Sequence, residues 1–564
     1  MQITAPVSQI TSWLDSGYRL GAGQFTFSVP GPASIWPQYG YADEIGGTDF
    51  ALPDSAMAAA FIKAVSLWDE LIAPDFTQVA DNAASRGELR IGITDMANNQ
   101  SAYAFYPAWS GGKPGDIWFN PDFGPWDWQE GGFDLYTMIH EVGHAIGLEH
   151  SFDAPVAPVE LDTHRHTVMS YTELEQNVVS FGYNDGEFFG HFRSPEPETP
   201  MVLDIAAVQE IYGADPDTRV GDTVYTFRQF SPSMETIYDA GGNDTIDMSD
   251  FFLPGHIDLR PGAYSSIGQA TNQQQIDHWA AQFPEHASFI AYVFESHLTM
   301  KDMVAYDFTQ NLGIALSAVI ENARGGSGDD ILTGNAADNV LIGNSGDDEL
   351  IGRSGSDRLE GGEGNDVLRG DSDFAIVQAS AELTGRPEPE VVNDTPFIGL
   401  RLSGPAPSGS LLIIDSQSAP PASLPIQTPP PAPLSPYDLG EGDDVLDGGP
   451  GQDTLSGGAG ADLFLFDDGD FAGLGMASAD RITDFAAGEG DRIDLSAIDA
   501  LTGGLDDPFR FIGQSQFSGQ GGELRFSRHD DGVLVTGEVN GDLLADFAIR
   551  LDDLSAISAN AFIL

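Results

Sequence analysis

Cysteine is absent from the 564 residues, so no disulfide staples the chain and no thiol chemistry is available to it. Such a chain can fold after export without an oxidising catalyst. Basic residues are scarce: 23 Lys+Arg stand against 87 Asp+Glu, a formal charge of −64. That balance argues against nucleic acid and anionic membranes as partners, since both are polyanions. No apolar run reaches about 18 residues, so no membrane-spanning helix and no membrane insertion are expected. The opening Met1-Gln2-Ile3-Thr4-Ala5-Pro6 lacks the basic and apolar regions of a Sec-type signal peptide. Export, if it occurs, requires another route.

What the chain has in excess is acid, much of it at a fixed repeat position. Strong self-repulsion follows unless cations bind, and oxygen-rich Asp/Gly loops are natural calcium ligands. Halophilic adaptation would instead spread the acids evenly. The length implies two or three domains.

The chemistry is concentrated in His140-Glu141-Val142-Gly143-His144-Ala145-Ile146-Gly147-Leu148-Glu149-His150. Leu135, Met138, Ile139, Val142 and Ile146 fall at helical spacing, with Asp134 the expected N-cap. His140 and His144 then project from one side of a helix, about one turn apart. Gly147 tolerates positive φ, so the helix can stop and return His150 to the same point. Three neutral imidazoles suit zinc and leave a fourth position for a water. Glu141 sits beside the metal without competing as a ligand. The full pattern HExxHxxGxxH belongs to the metzincin metalloproteases, which also carry a downstream Met-turn. Thr167-Val168-Met169-Ser170-Tyr171 supplies one, with Met169 an apolar floor beneath the metal. His164 and His166, between the two, are expected in solvated or surface roles rather than as ligands.

Upstream, alternation predicts strands at 24–29, 88–93, 103–106 and 116–120, and helical periodicity runs from Met57 to Leu71. Residues 1–23 form a polar lead-in with a short amphipathic piece at Ile10–Leu14, and 24–215 form a small α+β catalytic domain. In metzincins the strand before the active-site loop is the sheet edge to which substrate adds. By that resemblance Ala102, Tyr103, Ala104 and Phe105 would bind peptide through main-chain hydrogen bonds. An amphipathic helix over Met201–Gly213 closes the domain.

The second half repeats every nine residues, from Gly325 and then from Gly334, Gly343, Gly352 and Gly361, and again from Leu439, Gly448 and Gly457. This is GGxGxDxUx, the calcium-binding β-roll repeat. Leu332, Leu341, Leu350, Leu359, Leu368, Leu446 and Leu455 would point inward. Asp330, Asp348, Asp357, Asp366, Asp444, Asp453 and Asp462 would converge on calcium, joined by Gly326, Gly328, Gly343 and Ser345. Asn339 replaces one acid, which predicts a weaker half-site, and disorder is predicted without calcium. Residues 216–370 are thus a β-sandwich/β-roll region, and 439–564 the second array with a C-terminal secretion region. The Pro-rich stretch 371–438 between them is expected to be a long extruded or disordered insert.

With zinc motif, Met-turn and nonapeptides in place, the chain resembles a serralysin, a secreted calcium-dependent bacterial metzincin. The resemblance implies a metzincin α+β domain followed by an all-β parallel roll, and a zinc endopeptidase acting on extracellular proteins. Glu141 would activate the zinc-bound water and later protonate the leaving amine. Tyr171 would be a switchable zinc ligand that swings away to hydrogen-bond the tetrahedral intermediate. Family calcium sites outside the roll map onto Arg219, Gly221, Thr223, Asp239, Gly241 and Asp244, and onto Gly242 with Val319 and Glu321. A type I exporter reading an uncleaved C-terminal signal is implied, with Ala561-Phe562-Ile563-Leu564 as its apolar tail. The family's short propeptide has no evident counterpart. A monomer is expected, and the resemblance leaves room for a protein inhibitor. A calcium-binding surface protein with a vestigial protease domain is the alternative reading, disfavoured by the intact His140, Glu141, His144 and His150.

Overall fold

The computed structural model describes residues 2–22, 24–36, 51–96, 100–107, 115–371, 442–501 and 507–564. Its N-terminal part is a five-stranded sheet in the order Thr77–Gln78, Thr26–Ser28, Leu89–Ile93, Asp116–Phe119, Ala102–Ala104. The first four strands are parallel, while Ala102–Ala104 runs antiparallel to Asp116–Phe119 and ends the sheet. Leu89–Ile93 is buried along its whole length, as a strand covered on both faces requires.

Helices Ser55–Asp69 and Phe133–Ile146 supply much of that cover. The first starts where Asp54 accepts a hydrogen bond from the Met57 amide at 2.8 Å. The second is locked to it by the Trp68 indole donating to the Ile139 carbonyl at 3.1 Å, an interior bond inside an apolar core. Its N-cap is Gly132 rather than Asp134. Asp134 lies in the first turn and accepts from the Asp127 amide at 2.5 Å, so it ties down the incoming loop instead.

The N-terminal segment is a structural member of this core. Helix Val7–Leu14 buries Ile10, Trp13 and Leu14, and Thr11 donates to Glu210 at 3.0 Å. The following residues brace the end of the zinc-motif helix: the Leu14 carbonyl accepts from the Glu149 amide, and the Ser16 hydroxyl donates to Gly147. Helix Val202–Tyr212 departs from the expected amphipathic pattern. Every residue from Val202 to Val208 is buried, because the N-terminal helix covers one side and the Met-turn another.

Sequence patterning missed a hairpin, Gln176–Asn184 with Glu187–Arg193, and the helices Asn272–Gln282 and Ala287–Tyr292 beside it. They share a small core around Phe181, Ile276, Ile290 and Phe294. The hairpin had a legible signal in Asp185-Gly186, whose φ values of 51° and 83° make the tight turn.

The nonapeptides wind into a parallel β-roll. Strands Val340–Ser345, Arg358–Glu363, Val445–Asp447 and Leu463–Leu465 stack in one sheet. Ile331–Thr333, Glu349–Ile351, Val367–Arg369 and Thr454–Ser456 stack in the other. The seven repeat leucines are all fully buried, and Phe464 takes the next place in the column. At about 1.5–3 kcal/mol for each large apolar side chain buried, this column is the roll's main apolar stabilisation. Paired Asp residues in neighbouring turns lie 18 positions apart, as in Asp330 with Asp348, but Asp357 pairs with Asp444 across 87. The roll therefore keeps its register over the Pro-rich stretch, most of which lies outside the described residues. The final strand, Phe562–Ile563, pairs with Arg492–Asp494, so the apolar C-terminal tail is part of the sheet.

Candidate metal centre

The helix Phe133–Ile146 presents His140 and His144 on one face, and Gly147 ends it at φ +114°. A Cβ on Gly147 would lie 2.2 Å from the Tyr18 carbonyl oxygen, so glycine is demanded by packing as well as by conformation. The chain then turns back and places His150 beside its predecessors. One donor nitrogen from each of the three imidazoles lies within 4.8 Å of the others.

The outer nitrogens of these rings are engaged. His140 Nδ1 meets the Val168 carbonyl at 2.6 Å, His144 Nδ1 the Leu148 carbonyl at 2.8 Å, and His150 Nδ1 the Asp153 carboxylate at 3.1 Å. A carbonyl only accepts, so Nδ1 carries the proton and Nε2 presents a lone pair. His144 and His150 accordingly face each other Nε2 to Nε2 at 3.0 Å. Two lone pairs at that distance need a cation between them and their neighbours, and a borderline-soft divalent ion such as zinc fits three imidazoles. Burial, followed by the His150 charge, pushes His140 down to about 3. His144 is lowered as well, so both are neutral ligands at ordinary pH.

Glu141 is buried, and its Oε2 has no hydrogen-bond partner among the described residues. Burial pushes its carboxyl up to about 8. An unpartnered carboxylate oxygen beside a histidine triad is costly for stability alone and is suited to holding a proton. Tyr171 brings its hydroxyl to 2.9 Å from His150 Nε2, while the residue is 63% exposed.

Met169 is fully buried under the helix, where a Cβ on Gly143 would come within 2.7 Å of its sulfur. Gly143 therefore permits the close approach of helix and floor. The turn itself hangs from Asp204, which accepts from Thr167 Oγ1 at 2.5 Å and from the amides of Val168 and Met201 at 2.8 Å. Burial nonetheless pushes Asp204 up to about 7. Asp204→Ala leaves three buried donors without an acceptor. The expected cost is about 3 kcal/mol or more of catalytic-domain stability, read by denaturant unfolding of the calcium-loaded protein.

His164 and His166 overturn the expectation of solvated roles, for both are buried. The loop that carries them is packed beneath the active-site helix rather than laid over the surface. His164 bridges Glu196 and Tyr136, and His166 meets Thr163 at 2.9 Å and the edge of Tyr264. Neither joins the histidine triad.

The candidate substrate strand Ala102–Ala104 lies at one end of the sheet, with Phe105 following it. Tyr106 next to it donates to Glu149 at 2.6 Å and sets its ring edge-on to His144. The strand thus leads directly to the triad.

The candidate calcium residues fall along the turns of the roll. In one row each Asp accepts the amide of the residue one turn before it: Asp348 from Asp330, Asp366 from Asp348, Asp453 from Asp366. The facing row runs Asp357 from Asn339, Asp444 from Asp357, Asp462 from Asp444. The second oxygen of Asp348, Asp357, Asp366, Asp444 and Asp462 is buried and has no hydrogen-bond partner among the described residues. Such a column of orphaned anionic oxygens fits a divalent, oxygen-seeking cation. Gly343 sits against Asp348, where a Cβ would come within 2.2 Å of Oδ2. Ser345 bonds through its amide to the Gly326 carbonyl, and Gly328 packs on Pro254. Asp330 differs, because both its oxygens already accept amides, from Gly255 and Gly326. Asn339 instead closes its turn with its own amide, donating to the Glu321 carbonyl at 2.8 Å.

The rows continue past the nonapeptides. Asp453 donates its amide to Asp480, and Asp462 to Asp491. Those steps are 27 and 29 residues, so the fixed nine-residue spacing could not reveal them. Nearer the catalytic part, Asp244 accepts the Thr223 amide and gives its own to Glu321. Gly242 lies against the Gly221 carbonyl and Asp244, and Asp239 accepts from Gly241. The Arg219 guanidinium is engaged with Glu70 and the Tyr238 carbonyl, which leaves only its backbone for a cation. Val319 lies two residues before Glu321 and is exposed.

The Matrixin family matches residues 41–159, and the Peptidase M10 serralysin C terminal family matches residues 297–564. Serralysin G of Dickeya chrysanthemi is 33% identical over 278 residues, covering 43% of this chain and 45% of its own. Serralysin A of the same organism is 32% identical over 310 residues, covering 51% and 55%. Serralysin of Photorhabdus sp. (strain Az29) is 29% identical over 301 residues, covering 50% and 54%. The chain thus spans about half the length of the curated relatives it matches. A solved subunit of the Azotobacter vinelandii mannuronan C5-epimerase is 19% identical, covering 42% of this chain and 78% of its own. Its TM-score of 0.18 is too low for the superposition to bear on the fold. One family match over the zinc motif, another over the roll, and serralysins as relatives together support a serralysin-type metzincin.

Proposed function

We propose that this chain is a secreted zinc-dependent endopeptidase whose C-terminal roll folds on calcium. The observation that carries the reading is the histidine triad, with three Nε2 lone pairs directed inward beside a buried, unpartnered Glu141 oxygen. A zinc ion held by His140, His144 and His150 would supply Lewis acidity to the substrate carbonyl and lower the pKa of a water.

The rest is the work of the chain's own groups. Glu141 Oε2 takes the proton from the attacking water and then delivers it to the leaving amine nitrogen. Its burial keeps bulk water from competing for that proton. The Tyr171 hydroxyl leaves His150 and donates to the oxyanion as charge develops there. Ala102–Ala104 holds the peptide as an added strand, which fixes the backbone while accepting many sequences. Tyr171→Phe is expected to lower kcat about 10- to 100-fold with KM little changed, as loss of one oxyanion donor does. Unchanged turnover with zinc bound would remove Tyr171 from the mechanism.

Export fits the same reading. Ala561 and Phe562 of the apolar tail are buried, and Phe562–Ile563 pairs into a sheet of the roll, so the tail would be readable by an exporter only before calcium folds the roll. No described helix is long and apolar enough to cross a membrane. A casein digest with and without a zinc-selective chelator tests the proposal. Chelator-sensitive cleavage supports it, and no cleavage by zinc- and calcium-loaded protein favours the binding-protein alternative.

A further inference from the structure

Tyr136, His164 and Glu196 are fully buried, polar, and unused by the mechanism above. They form one chain of contacts. Glu196 Oε2 meets His164 Nδ1 at 2.7 Å, His164 Nε2 meets the Tyr136 hydroxyl at 3.1 Å, and Tyr136 donates to the Ser170 carbonyl at 2.7 Å. The Ser170 carbonyl only accepts, so the Tyr136 proton points at it and the phenolic oxygen accepts from His164 Nε2. Glu196 and Nδ1 then share the remaining proton.

The far end of this chain is the significant part. Ser170 is the residue before Tyr171, and Thr172 is the residue after it. The His164 amide donates to the Thr172 carbonyl at 3.0 Å, and the Thr172 amide donates to the Ser170 hydroxyl at 3.0 Å. Both flanks of Tyr171 are therefore pinned by members of one buried network. The Tyr171 side chain, by contrast, lies in the open against His140, His150 and Phe152. A switching hydroxyl requires a rigid anchor beneath its ring, because where the hydroxyl comes to rest is defined only if the backbone does not move.

We propose that Glu196, His164 and Tyr136 are positioning residues that fix the backbone of Tyr171, and through it the place its hydroxyl takes up. Tyr136 is also one helical turn before His140, with its ring 6.1 Å from that imidazole, so a single side chain indexes ligand helix and Met-turn against each other. The cluster ends on both sequence neighbours of Tyr171, whose exposed ring lies against the histidine triad. The proposal rests on the catalytic reading of Tyr171 for its kinetic consequence only.

Two measurements test it on the full calcium-loaded chain, with Tyr136→Phe and Glu196→Gln as independent variants. In the first, 3-fluorotyrosine is introduced at position 171 alone, and its fluorine resonance is recorded in metal-free and zinc-loaded protein. One narrow line is expected in the parent, broadened or split in both variants even without zinc. An unchanged line would overturn the proposal. The second is a kinetic cycle with Tyr171→Phe. Tyr136→Phe should lower kcat about tenfold with KM and zinc content unchanged, and should cost nothing further in the Tyr171→Phe background. Equal losses in both backgrounds would overturn it. If Tyr171→Phe alone costs nothing, the mechanistic role of Tyr171 fails, and the fluorine line still decides the anchoring.

Discussion

Glu141→Gln is expected to bind zinc normally and to lose nearly all peptide hydrolysis, by about 100- to 10,000-fold or more in kcat. The substitution keeps the size and shape of a fully buried side chain, so packing around the triad is preserved. What disappears is the ability to take a proton. In the parent, Oε2 is buried and has no hydrogen-bond partner among the described residues, which leaves it open to the water. An amide at that point offers either a weakly basic oxygen or a donor, and neither can shuttle a proton to the leaving nitrogen. Metal analysis alongside the rate separates loss of chemistry from loss of zinc. Near-parental turnover would assign the proton transfer to another group.

Removing calcium should have an effect of comparable size on the fold. At pH 8, a calcium chelator is expected to abolish the β-roll signal in circular dichroism while the column of Asp residues repels itself apart. Burial first, and neighbouring carboxylates after it, push Asp348, Asp357 and Asp462 up to about 7, and Asp444 and Asp453 up to about 8. Each unit is about 1.4 kcal/mol of preference for the neutral form. Even halved for solvent screening, five such groups rival the about 5–15 kcal/mol that holds a typical domain together. The sign follows from the direction. These folded-state values exceed the ordinary carboxylate value, so the metal-free roll is most stable below pH 4 and loses that stability as pH rises through 7 to 8. Chelated protein should therefore regain roll structure on acidification toward pH 5, and calcium should flatten the dependence. A chelated roll that is equally folded at pH 5 and 8 would contradict the assignment of these oxygens to cations.

The parts of the site that lie on one short stretch were legible in the sequence. Helical spacing put His140 and His144 on one face, Gly147 announced the turn, and His150 arrived as the offsets required. Repetition made the roll equally readable, because each nine-residue unit carries its own leucine and its own acid. What was not legible depends on contacts between distant segments. The amphipathic piece at Ile10–Leu14 was legible, but not its place in the catalytic core, which depends on the distant helix Val202–Tyr212. His164 and His166 sit in a run of charged and polar residues that reads as surface, and only the packing of the Met-turn under Tyr136 makes them interior. Asp480 and Asp491 extend the acid rows at irregular steps, so periodicity stops where geometry continues. Val202–Val208 is buried all round, and no single-face pattern can mark such a helix.

The central claim is that the inward-facing triad holds zinc and that hydrolysis of internal peptide bonds depends on it. The most direct measurement is cleavage of a mixed peptide library by the calcium-loaded chain, stripped of zinc with a selective chelator and then reloaded. Internal cleavage should vanish on stripping and return in proportion to zinc bound, up to one ion per histidine triad. Cleavage that persists in zinc-free protein, or none at full zinc loading, would contradict the account.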